Sequence, residues 1–250
     1  MIINIIDSNI NDLYKTYFKA LNVDYTEQKS KFIIDNTIKY NKIIPLPYSV
    51  CHTLCEQIIY FLQLLKQNNY SIIDFNPKYF EIGYTSSKIN QDGGAQDVRI
   101  EDKEMNVEFH GDENMYLETN IQIPFIVLKN TQLIVPINPQ NNTFIINYNN
   151  LSSIKTIMDE AHEYYKHFLF YHNSVLVKIN KKDFNNIHIK ESYLSLAMFI
   201  FYILLSPQKQ LRSIIDFKKQ LKTYIYNTPL YYCIERLLEA NANDRFLFII

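Results

Sequence analysis

Glycine is nearly missing from this chain: four in 250 residues, with no tryptophan at all, against an average glycine usage of about 7%. None precedes Gly83. Backbone that must approach phosphates closely needs glycine, so neither a G-x-G-x-x-G nor a G-x-x-x-x-G-K-[ST] loop is present in the N-terminal third. Cysteine is scarce as well. Cys51, Cys55 and Cys233 fit no disulfide framework and no zinc spacing. Cys51 and Cys55 stand one helical turn apart and are expected as buried small residues. The longest apolar run, Leu194 to Leu205, is too short to span a bilayer, which takes about 20 residues, and is expected to be a buried core helix. The N-terminus has no basic segment followed by a long apolar one, so no signal peptide is expected. The resulting expectation is a soluble, cytoplasmic protein.

What is abundant is Asn, Ile, Lys, Tyr and Phe, with 20 tyrosines and 16 phenylalanines. These residues share AT-rich codons, so genome bias accounts for the tyrosines before any aromatic binding surface does. The net charge of -1 conceals an acidic window. Gln91 to Glu118 holds nine acids and two bases, a charge of -7, which leaves +6 elsewhere. The window has few residues able to anchor it in a core and reads as an exposed insert, residues 84–120. Lysine pairs occur only at Lys181-Lys182 and Lys218-Lys219, which is no nucleic-acid footprint. Ala161-His162-Glu163 to His167 nearly spells a zinc motif, but a spacing of five puts the two imidazoles about 140° apart on a helix.

Periodicity predicts a helix from Ser8 or Asn9 to Leu21, β-like runs at Lys31–Ile34 and Lys42–Leu46, and a long helix from Ser49 to Gln67. Strands are expected at Tyr70–Phe75, Tyr79–Gly83, Ile121–Leu128, Gln132–Ile137 and Thr143–Tyr148. A helix over Leu151–Phe170 and a β-like run at Ser174–Ile179 follow, then helices at Glu191–Leu205, Leu211–Tyr226 and Leu230–Ala240. With no repeat and no linker, this is a single α+β domain over residues 1–250.

The long helix runs into Ile72-Ile73-Asp74-Phe75-Asn76-Pro77-Lys78-Tyr79. This resembles the protein-kinase segment in which a helix leads into the catalytic loop H-R-D-x-K-P-x-N. Asp74 stands at the base position and Pro77 at the loop proline. Ile72 and Ile73 replace His and Arg, Asn76 replaces Lys, and Tyr79 replaces the metal-binding Asn. Tyr193-Leu194-Ser195-Leu196-Ala197-Met198 is similar to the D-x-Y-S-L-G start of the central kinase helix, with Ser192 and Glu191 near the Asp position. Glu235 to Arg245 is similar to the closing L-L-x-x-D-P-x-x-R helix. The flavour is that of the kinase-like proteins of large nucleocytoplasmic DNA viruses.

The resemblance implies a degenerate kinase-like fold: a reduced N-lobe at 1–48 and a helical C-lobe at 49–250 around a buried central helix. Structural roles fall to Pro77, Glu163, Ser195 and Arg245, with Glu163 of an A-P-E-like triplet facing Arg245. It further implies an inactive scaffold or interaction protein without nucleotide, its partners being proteins, in a viral particle or complex or in the host cytoplasm. Under the alternative of an atypical serine/threonine kinase, Asp74 is the base, and Asp92, 18 residues on and followed by Gly93-Gly94, is the ligand of ATP-bound Mg. A second register leads the strand Ile123–Leu128 into Lys129-Asn130, with no acid there. Phosphoryl transfer needs a phosphate-binding Lys, metal ligands and base together, and no V-A-I-K-like lysine is identifiable. A structural protein unrelated to kinases is the remaining reading. Its mark is a Leu194–Leu205 helix that the other C-terminal helices do not surround.

Overall fold

A computed structural model describes residues 2–21, 31–32, 46–88, 120–129, 131–165, 173–184, 186–205 and 213–247. Helix α1 (Ile2–Ala20) starts earlier than the expected Ser8 or Asn9 and buries Leu13, Tyr17 and Phe18. Strand β1 (Lys31–Phe32) follows; the run at Lys42–Leu46 lies almost wholly outside the described residues. Helix α2 (Tyr48–Gln67) buries Cys51, Leu54, Cys55, Ile58, Ile59, Leu62 and Leu65, a spacing that only a 3.6-residue period gathers on one face. It stops at Asn69, whose φ of 63° is the left-handed conformation that asparagine tolerates and β-branched residues resist.

Two antiparallel sheets come next. One orders β1, β3 (Phe80–Lys88) and β4 (Asn120–Leu128); the other orders β2 (Tyr70–Ile72), β5 (Ile134–Asn138) and β6 (Thr143–Phe144). The β3–β4 pairing runs from Phe80 opposite Leu128 to Lys88 opposite Asn120. The strands therefore take in residues 84–88 and 120 of the span read as an insert. The acidic window itself, including Asp92, lies outside the described residues.

Strand β4 is an edge, and side chains finish its ladder. Gln57 of α2 donates from Nε2 to the Pro124 carbonyl at 2.8 Å and accepts the Ile126 N–H at 3.1 Å. From α1, Tyr17 and Tyr14 donate their hydroxyls to the Ile126 and Leu128 carbonyls. Pro124 sits where an edge strand can spare an N–H.

Helix α3 (Tyr148–Tyr165) starts earlier than periodicity predicts, because the Asn147 side chain accepts the N–H groups of Asn149 and Asn150. The β-like run at Ser174–Ile179 is in fact helix α4 (Ser174–Asn180). Asn173 caps it by accepting the Leu176 N–H at 2.9 Å, and Val175, Leu176 and Ile179 then share one buried face while Val177 points out. An N-cap and a helical burial pattern override β-branched propensity here.

Helix α5 (Tyr193–Leu205) is apolar all round, and every residue from Tyr193 to Leu204 is buried. Such a helix needs neighbours on all sides. Phe199 meets Phe80 of β3 at 4.8 Å between ring centroids. Phe201 meets Phe217 of α6 (Ile214–Tyr224) at 4.5 Å. Helices α2 and α7 (Pro229–Leu237) pack on it as well. The buried residues form one cluster with α5 in its midst. No described helix is long and apolar enough to cross a membrane.

Candidate functional site

The segment carrying the kinase-like residues joins β2 to β3. It begins as a continuation of the sheet, with the Ile73 N–H donating to the Leu133 carbonyl at 2.9 Å. Asn76 then starts a 3₁₀ turn, Pro77–Tyr79, by accepting the Lys78 N–H at 3.0 Å. Pro77 sits in its first turn, where a missing N–H costs nothing. Tyr79 closes the loop on both sides: its N–H reaches the Asn76 carbonyl, its carbonyl accepts from the Lys129 N–H, and its hydroxyl donates to Ile157 of α3.

Every residue from Ser71 to Pro77 is buried, and Asp74 and Asn76 are each 0% exposed. Phe75 stacks on Phe80 with centroids 5.9 Å apart. The Phe75 N–H donates to Ser195 Oγ at 3.1 Å, and Ser195 in turn donates to the Ser192 carbonyl at 2.8 Å. One serine on α5 thus holds the loop backbone and answers the hydroxyl's own need for an acceptor. Sequence-predicted Asp74, Pro77 and Ser195 are brought together on this loop and the helix under it.

Glu163 and Arg245 are not paired with each other. Arg245, 3% exposed, donates from Nε to the Glu239 carbonyl, from Nη1 to Lys190 and from Nη2 to Ala240. The acid it faces is Glu191, at 3.9 Å. Glu163 is exposed near the end of α3. Glu191 also receives Lys178 of α4 at 2.8 Å. Burial pushes its carboxyl upward, but the hydrogen bonds of Lys178 and Ser174 and the charges of Lys178 and Arg245 outweigh this and hold it below the ordinary range. For Arg245, burial wins over Glu191 and Glu239, and its pKa falls. This cluster ties the end of the chain to the entry of α5.

The strand that enters the region from the other side is β4, and it delivers the exposed Lys129. The second of the two sequence registers starts from this strand; the strand of the first lies only in part within the described residues, and its Asp92 lies outside them. Among the described residues, no three His, Cys, Asp or Glu side chains converge to hold a metal ion. Sequence reasoning missed the hydrogen bonds of Gln57, Tyr14 and Tyr17 to β4 and the ion pair of Lys178. The first three act on backbone groups far away in the chain and leave no local signal; Lys178 lay in the segment read as a strand. No family model, curated protein or solved structure matches the chain.

Proposed function

We propose that the chain is a catalytically inactive, kinase-like interaction protein whose partners are other proteins. The observation that carries this reading is the burial of Asp74, which is 0% exposed. A general base must come within hydrogen-bond reach of the hydroxyl it deprotonates, and a side chain buried within a run of buried residues, Ser71 to Pro77, meets no peptide. Under the second register, in which the strand Ile123–Leu128 leads to the metal-binding position, the exposed Lys129 at the end of β4 supports the same reading. The enclosure of α5 by α2, α6, α7 and β3 favours a kinase-derived architecture over an unrelated structural protein. The similarity to viral kinase-like proteins extends the proposal to a component or regulator of a viral particle or complex.

Transfer of labelled phosphate from ATP–Mg²⁺ to the chain itself and to a generic basic protein tests the inactive reading. Wild type and Asp74→Asn are expected to give the same background. Transfer by wild type that Asp74→Asn abolishes overturns it.

A further inference from the structure

The stretch from Ile187 to Ile189 lies along β6. The Phe144 N–H donates to the Ile187 carbonyl at 2.8 Å, and the Ile189 N–H to the Asn142 carbonyl at 2.9 Å. Ile187 and Ile189 are buried. Side chains alternate along extended backbone, so His188 between them stands on the other side, half-buried. Its Nδ1 accepts the Lys190 N–H at 3.1 Å and so caps the 3₁₀ turn Ile189–Glu191.

That turn ties three parts of the molecule together just before α5. The Glu191 carbonyl accepts the Ser174 hydroxyl of α4 at 3.1 Å, and the Glu191 carboxylate receives Lys178 of the same helix at 2.8 Å. The Lys190 carbonyl accepts Arg245 Nη1 at 3.2 Å, and Lys190 Nζ donates to the Asn243 carbonyl at 2.6 Å.

We propose that His188 is a pH-operated latch: on taking up a proton at mildly acidic pH it lets go of the turn Ile189–Glu191, and with it of residues 241–247. This inference does not rest on the kinase-like reading. An imidazole that accepts at Nδ1 is neutral, whereas an imidazolium has a donor at each nitrogen and no acceptor. The added proton therefore sets one N–H against another and leaves Lys190 without its cap. The surroundings of the ring resist the proton. Burial is the largest effect, and Lys190 on the turn, Lys66 from α2 and Lys178 from α4 add to it; Glu191 pulls the other way and is outweighed, so the imidazole lies below its ordinary 6.5. From β6 the neighbour is Thr143, which does not titrate. The cap is thus complete above pH 6.5 and is lost as the pH falls through the lower, folded value. Glu191 is itself held below the ordinary carboxylate range, so its pairing with Lys178 and Arg245 persists while His188 titrates.

Hydrogen exchange of the full chain tests the latch, measured at pH 7.5 and pH 5.0 as protection relative to the intrinsic rate at each pH. Wild type is expected to lose protection about fivefold, the worth of a helix cap. The loss is expected at the amides of Lys190, Glu191 and Ser192, and also at Asp244 and Arg245, which are bonded within the 241–245 turn. The chain has six histidines, so the control is a cap that does not titrate in this range. His188→Asn is expected to keep the same protection at both pH values. His188→Asp, which caps with a carboxylate, serves where the asparagine variant does not fold. Unchanged protection in wild type, the same loss in a folded variant, or a loss confined to residues 190–192 overturns the proposal.

Discussion

The Oγ of Ser195 accepts the backbone N–H of Phe75 at 3.1 Å, across 120 residues of sequence. This bond joins the central helix to the segment that holds Asp74, and both ends of it are buried. It makes the loop a part of the core.

Removing that acceptor strands a buried N–H, which costs the desolvation of the group as well as the bond. Ser195→Ala is expected to destabilise the chain by about 1–3 kcal/mol. Urea denaturation with an unchanged slope checks this. Stability equal to wild type would mean that the loop is held by other contacts.

Gln57 replaces a missing strand at the edge of β4, meeting the Pro124 carbonyl and the Ile126 N–H with one amide. Gln57→Leu keeps the size of the side chain and leaves both backbone groups unmet. The expected cost is about 2–4 kcal/mol, read by the same denaturation series. A cost under about 0.5 kcal/mol would place those groups in solvent.

Gly83 is the one glycine whose lack of a side chain the described residues explain. A Cβ there would run into the ring of Phe125, the residue opposite it in the β3–β4 ladder. Gly83→Ala is expected to cost about 1–3 kcal/mol through overpacking. The double variant with Phe125→Leu is expected to recover part of this, a coupling that a double-mutant cycle measures. Additive costs would contradict the contact.

Glu191 carries a pH dependence whose sign follows from its lowered pKa. A carboxylate favoured in the folded state contributes fully above its unfolded pKa, near 4.5, and loses that contribution as pH falls through the lower folded value. Glu191→Gln is therefore expected to be less stable than wild type at pH 7. The gap is expected to narrow below pH 4.5 and close once both forms are neutral. A gap that is constant with pH would assign the effect to packing.

Much of the scaffold was legible in the chain because apolar periodicity reports burial directly. Helix α2, the apolar helix α5 and the strands β4 and β5 fall close to where their patterns put them. Local patterns fail where a distant or single capping contact decides. Ser174–Ile179 reads as strand by composition and becomes a helix through Asn173. The partner of Arg245 is Glu191, which sits beside Lys178 and not in the Ala161-His162-Glu163 triplet. At the site, Asp74, Pro77 and Ser195 were readable as a motif, but the burial of Asp74 is a property of the assembled core and has no signature in the residues beside it.

A thermal-shift titration with ATP–Mg²⁺ tests the central claim, that this loop is structural and no longer handles nucleotide. A ligand at 100 times its Kd stabilises by about 2.7 kcal/mol, a rise of roughly 5–10 °C for a chain of this size. The account predicts no saturable rise at millimolar ATP–Mg²⁺. A saturable rise of that size, abolished by Asp74→Asn or by Asp92→Ala, would contradict it.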